Sequence, residues 1–89
     1  MKHIVKRRGK KELFDERKVY ASCYAACVGT RMRIQEAETI CESVSKEIKV
    51  WITKKKEVNS AQIFKRMIEV IKKHSKEAAF LYETHRDIA

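Results

Sequence analysis

The chain has no proline and only two glycines, Gly9 and Gly29, so no periodic stretch is interrupted from within, and each glycine falls where two patterns meet and reads as punctuation. Long apolar runs are also missing. Nothing approaches the ~20 consecutive apolar residues of a membrane span, and the N-terminus lacks the apolar core of a signal peptide, so no membrane partner is predicted and a cytoplasmic protein is expected. Cysteines are few and odd in number: Cys23, Cys27 and Cys41. Although Cys23 and Cys27 lie four apart on one helical face, there is no C-x2-C pair and no second ligand pair at zinc-like spacing. Reduced, buried thiols are the expectation, with no disulfide and no metal site. Catalytic signatures are absent too: no paired carboxylates in an apolar setting, no Gly-rich phosphate loop, no Ser-x-Gly elbow and no recognisable Cys/His arrangement. His3, His74 and His85 stand alone and read as structural or surface residues. The sequence predicts a protein that is not an enzyme.

What is present is charge. Eighty-nine residues suffice for one hydrophobic core, so 1–89 is read as a single domain. Charged residues make up 37% and apolar residues 44%, with both signs scattered along the chain, the composition of an ordered domain. The net charge of +9 calls for an anionic partner. Residues 1 to 18 hold eight basic side chains (Lys2, Lys6, Arg7, Arg8, Lys10, Lys11, Arg17, Lys18) against Glu12, Asp15 and Glu16, so more than half of the excess lies in the first fifth of the chain.

Periodicity divides the rest. His3 to Arg7 and Lys11 to Phe14 are short segments on either side of Arg8-Gly9-Lys10, which predicts a β-hairpin. Asp15 is placed to cap a first helix, with Phe14 and Val19 as a hydrophobic staple and Gly29 as its left-handed terminator. Val19, Cys23 and Ala26 form its apolar stripe, widened by Tyr20, Tyr24 and Cys27. Ile34, Ala37, Cys41, Val44, Ile48 and Trp51 recur at spacings of three and four and predict a bundle-facing seam on a second helix. Lys54-Lys55-Lys56 interrupts that pattern as a solvated loop, and Glu57-Val58 is a candidate third strand. Asn59 or Ser60 caps a third helix, with Gln62 at capping-box spacing from Asn59 and Ile63, Met67 and Val70 on its face. Ser75 caps a fourth, where Ala78, Leu81, Tyr82 and His85 share a face. The predicted fold is α+β, mainly α: a four-helix bundle with a small N-terminal β-hairpin or three-stranded sheet.

The segment Val5 to Lys18 holds the residues most able to carry chemistry. Lys6 and Arg7 end a strand and Lys18 falls in the first turn of the following helix, where a cation is unfavourable unless an anion compensates it. A polyphosphate would do so; Asp15 and Glu16 would also. On the residues alone, a solvated charged face accounts for this segment as well as a phosphate site does.

The run Val5-Lys6-Arg7-x-Gly9 followed by Phe14-Asp15-x-x-Lys18 resembles the opening of the ATP-cone, the nucleotide-sensing domain of ribonucleotide reductases and of their transcriptional repressor. The capped helix near Ser60-Ala61-Gln62-Ile63 and the final helix with Ala79 and Tyr82 extend the resemblance over almost the whole chain. Arg8 departs from it, standing where the family usually has Asp or Asn. Strand alternation, moreover, puts Lys6 and Arg7 on opposite faces, so that one must reach around the sheet edge to share a ligand. The resemblance implies a four-helix bundle under a three-stranded sheet lid, with ATP or dATP between them, Mg2+ being an optional companion of the nucleotide. By position, Lys6 and Arg7 would meet the phosphates and Lys18 would also serve the nucleotide. Glu12 would take the ribose hydroxyl, and adenine would lie against the backbone around Ile4 and Val5. Ser60 and Phe64 match positions facing the nucleotide. A reductase or zinc ribbon normally accompanies this domain and neither is present in the sequence, so the implied output is a partner protein such as a reductase or regulator, or a homo-oligomer. The alternative reading is a small basic helical protein that binds nucleic acid through Lys54 to Lys56 and Lys72-Lys73; against it, aromatic residues are not interleaved with these runs.

Overall fold

The computed structural model describes residues 3–5 and 11–84. Strand β1 (His3–Val5) and strand β2 (Lys11–Leu13) are followed by helices α1 (Glu16–Gly29) and α2 (Ile34–Thr53), strand β3 (Val58–Asn59), and helices α3 (Ser60–Lys72) and α4 (Lys76–Thr84). Among the described residues, helix α1 packs on α2, α2 on α3, α3 on α4, and α4 back on α1, closing a four-helix bundle. The architecture is mainly helical, as predicted.

Local chemistry sets most of the helix starts. Asp15 adopts an extended backbone and its carboxylate accepts the Arg17 backbone N–H at 2.9 Å, so α1 begins where the sequence places its cap. Phe14, half-buried, packs against the core cluster, of which Val19 is a member. Asn59 and Gln62 form a complete capping box: the Asn59 side chain accepts the Gln62 N–H at 2.8 Å, and the Gln62 side chain accepts the Asn59 N–H at 2.9 Å. Ser75 Oγ accepts the Ala78 N–H at 3.1 Å at the start of α4.

The end of α1 differs from expectation. Gly29 is its last helical residue, and the left-handed conformation falls two positions later, at Arg31 with φ of 65°. The absence of a side chain at Gly29 serves packing: a Cβ there would meet Leu81 Cδ1 of α4 at 2.8 Å. Thr30 completes the turn, its hydroxyl donating to the Cys27 carbonyl at 2.7 Å.

The core runs through Val19, Cys23 and Cys27 of α1, Ala37, Ile40, Cys41, Val44, Ile48 and Ile52 of α2, Met67, Val70 and Ile71 of α3, and Ala78 and Ala79 of α4. Two members of the predicted α2 seam are displaced from it. Ile34 is 62% exposed, since it is the first residue of the helix and no neighbour covers it, and Trp51 is half-buried. Ile40, Ser45 and Ile52 are buried instead, because α2 lies between α1 and α3 and must present a face wider than a single seam.

The strands form a three-stranded sheet of order β2-β1-β3. β1 pairs antiparallel with β2, matching His3 to Leu13, Ile4 to Glu12 and Val5 to Lys11. It pairs parallel with β3, matching Ile4 to Val58 and Val5 to Asn59. The third strand is thus one residue later than predicted: Glu57 lies outside it, and buried Val58 takes the central register position beside Ile4. The predicted turn through Arg8-Gly9-Lys10 and His85 of the α4 face lie outside the described residues.

Candidate functional site

The central strand organises the candidate residues. Ile4 and Val5 occupy β1, with Glu12 across the antiparallel pairing from Ile4 and Asn59 across the parallel pairing from Val5. Because β1 and β3 run in the same direction, their C-terminal ends share one sheet edge, and there the chain passes without a loop into α3, with Asn59 as its cap and Ser60 as its first residue. The same edge is where β2 begins. Lys6 and Arg7, which follow Val5, lie outside the described residues. The topology thus brings Ile4, Val5, Glu12 and Ser60 to neighbouring positions around β1.

Lys18 is reached by another route. β2 carries the chain three residues, roughly 7 to 10 Å, toward the opposite sheet edge before α1 starts. Lys18 is exposed in the first turn of α1, where its backbone N–H donates to the Asp15 carbonyl at 3.1 Å. Phe64 lies one turn into α3, and its half-buried ring packs against Tyr82 of α4 with ring centroids 5.4 Å apart. That aromatic contact ties Phe64 to the bundle.

The two helix N-termini near the sheet differ electrostatically. At α1, the Arg17 side-chain and backbone hydrogen bonds hold the Asp15 carboxyl below its usual range, and Glu16 pairs with Lys49 of α2 at 3.3 Å. The positive end of α1 therefore has carboxylates of its own. The first turn of α3 contains no acidic residue. Its partial positive charge is therefore not offset by a carboxylate of its own first turn, so of the two N-termini the one at the β1–β3 edge is better suited to an anion.

The other basic segments are arranged differently. Lys54, Lys55 and Lys56 are exposed after α2, and the Lys55 ammonium lies 5.5 Å from the Trp51 ring centre. Arg66 lies 5.9 Å from the same ring and 3.8 Å from Glu47, which also binds Lys73 at 2.6 Å. These contacts link α2 to α3 and engage the one tryptophan of the chain in a structural contact.

One feature escaped sequence reasoning. Cys23 and Cys27 of α1 meet Cys41 of α2, the three Sγ atoms lying within 4.8 Å of one another and all three residues fully buried and free of disulfides. Burial pushes the Cys41 thiol up to about 12, and Cys23 is raised by the hydrogen bond it shares with Cys27 and then by burial. Cys27, which the Cys23 thiol stabilises in its charged form, is lowered to about 7. The spacing of four within α1 gave the only signal in the sequence; the third member depends on how α2 crosses it.

A protein-family model described as the ATP cone domain matches residues 2–88, essentially the whole chain. No curated protein and no solved structure matches it.

Proposed function

The chain belongs to the ATP-cone family, a family of nucleotide-binding regulatory domains that are not themselves catalytic, and on that premise we propose that it binds ATP or dATP at the β1–β3 edge of the sheet. In this reading the sheet acts as a lid over the bundle. Adenine lies along the β1 backbone at Ile4 and Val5, Glu12 on the neighbouring strand takes a ribose hydroxyl, and the phosphates extend toward Lys6, Arg7 and the start of α3 at Ser60. Lys18 approaches the nucleotide from the other edge, and Phe64 supports the α3 wall through Tyr82. Mg2+ accompanies the phosphates. The observation that carries the reading is the junction of family membership with topology: the central strand is flanked by Glu12 on one side and by an α3 N-terminus without carboxylates on the other.

The output is a change of association, with a second copy or with a partner protein such as a reductase or regulator. A ligand that binds two states equally shifts neither, so a regulatory module needs a second arrangement that the nucleotide stabilises differently.

Titration calorimetry with ATP, dATP and a DNA oligomer at two salt concentrations tests the site. Saturable binding of the nucleotides is expected, weakened by about 1.5 to 3 kcal/mol in Lys6→Ala and in Arg7→Ala, the range for charged hydrogen bonds. If both variants bind ATP as the parent does, the phosphate assignment is wrong; oligomer binding with a steep salt slope and no nucleotide binding would favour nucleic acid instead.

A further inference from the structure

The buried thiols form a constellation that nucleotide binding does not use. Cys23 and Cys27 lie one turn apart on α1 and Cys41 faces them from α2, with all three Sγ atoms within 4.8 Å. A pyramidal three-sulfur complex with bonds of about 2.3 Å and angles near roughly 95 to 100° holds its sulfurs roughly 3.4 to 3.5 Å apart, so the Sγ atoms need draw together by no more than about 1.4 Å to close the ligand triangle. We propose that Cys23, Cys27 and Cys41 form a three-thiol site for a soft, three-coordinate ion, and that a trivalent metalloid such as arsenite fills it as a neutral complex.

Three properties of the site select this class. Thiolate donors favour soft ions over the hard cations that take oxygen ligands. The coordination number is limited to three: among the described residues no histidine or carboxylate joins the cluster, and the residues' complete burial leaves no solvent-facing position for water as a fourth ligand. Structural zinc normally takes four ligands, which disfavours it. Charge decides among the remaining candidates. Three thiolates around a monovalent ion carry a net charge of two minus, and around a divalent ion one minus, inside a core built from residues such as Val19, Ala37, Val44 and Ile48. No Lys or Arg is buried among the described residues to compensate it, and an unpaired buried charge is strongly unfavourable. Only the trivalent ion gives a neutral assembly.

The exchange balances without an oxidant. Arsenous acid, As(OH)3, trades three As–O bonds for three As–S bonds, each thiol proton leaves with one hydroxide as water, and arsenic stays trivalent. The product ties α1 to α2 through the interior of the bundle.

Native mass spectrometry and thermal melting of the reduced full chain, with arsenite, zinc and cuprous ion in separate arms, test the site. Arsenite should add one arsenic per chain with loss of three hydrogens, and should raise Tm by about 10 °C or more at a hundredfold excess over Kd, because the preformed triangle favours the folded state. Absence of an adduct, loss of only two hydrogens, or a larger Tm rise with zinc or cuprous ion would overturn the proposal. Cys41→Ala, leaving the α1 pair intact, should weaken arsenite binding at least a hundredfold, and unchanged binding would overturn a three-thiol site. Should that variant not fold, Cys41→Ser serves in its place, and the hydrogen count on the unaltered chain reads the same coordination.

Discussion

Asn59 is both the cap of α3 and the β3 partner of Val5, so two substitutions there separate structure from electrostatics. Asn59→Ala removes the acceptor for the Gln62 N–H, now bonded at 2.8 Å. Losing such a cap costs about 1 kcal/mol, or about 4 to 8 °C in Tm for a domain of this size. It leaves local charge unchanged, so ATP affinity should stay within about twofold. Asn59→Asp keeps an acceptor at the same place and adds a negative charge at a helix N-terminus, so stability should hold or rise by about 0.3 to 1 kcal/mol. The same charge opposes a phosphate. At a separation of roughly 8 Å and an effective dielectric of about 20, the repulsion is ~2 kcal/mol before screening and ~1 kcal/mol at physiological salt, close to a fivefold loss of affinity. The residue is exposed, so neither change disturbs the core. Thermal melts and calorimetry on both variants should therefore give opposite orders: Ala the less stable, Asp the weaker ATP binder. If Asp binds ATP as the parent does, the phosphates do not lie at the β1–β3 edge.

Ser45 is 3% exposed and its hydroxyl has no hydrogen-bond partner among the described residues, so Ser45→Ala should stabilise the fold by about 1 kcal/mol in urea denaturation; a destabilisation of that size would mean the hydroxyl is satisfied. For Asp15, the folded carboxyl is held below its unfolded value, so its contribution is fully present above the ordinary carboxylate range near pH 4 and is lost as pH falls through the lowered folded value. The stability gap between the parent and Asp15→Ala, measured by urea midpoints, should be constant from pH 7 to 5 and narrow below about 4, whereas a gap that widens on acidification contradicts the sign. Saturating ATP should also raise the molar mass seen by light scattering, more at low salt, because roughly three to four added negative charges offset repulsion between copies carrying +9. An unchanged mass at both low and moderate salt would leave a partner protein as the remaining output.

What the sequence determined by itself is the set of features that depend on a few neighbouring residues. Asp15 and the Asn59–Gln62 box satisfy backbone N–H groups two or three positions away, and the order of elements follows from apolar period and glycine position, so these were legible without a fold. Of the candidate site, the sequence carried the identities of Ile4, Val5, Glu12 and Ser60 and the hairpin that sets Glu12 beside Ile4, while bringing Ser60 to them required the parallel pairing of β1 with β3, formed by residues more than fifty positions apart. Tertiary structure alone decided the rest. Gly29 faces Leu81 from across the bundle, Ile34 at the very start of α2 is exposed while Ala37 one turn later is buried, and Ile40 and Ile52 are buried because α2 has helices on two sides. Cys41 joins Cys23 and Cys27 for the same reason: spacing along a helix tells which residues share its face, but which atoms meet across the interface depends on the crossing of two helices, and that is set by packing of the whole core.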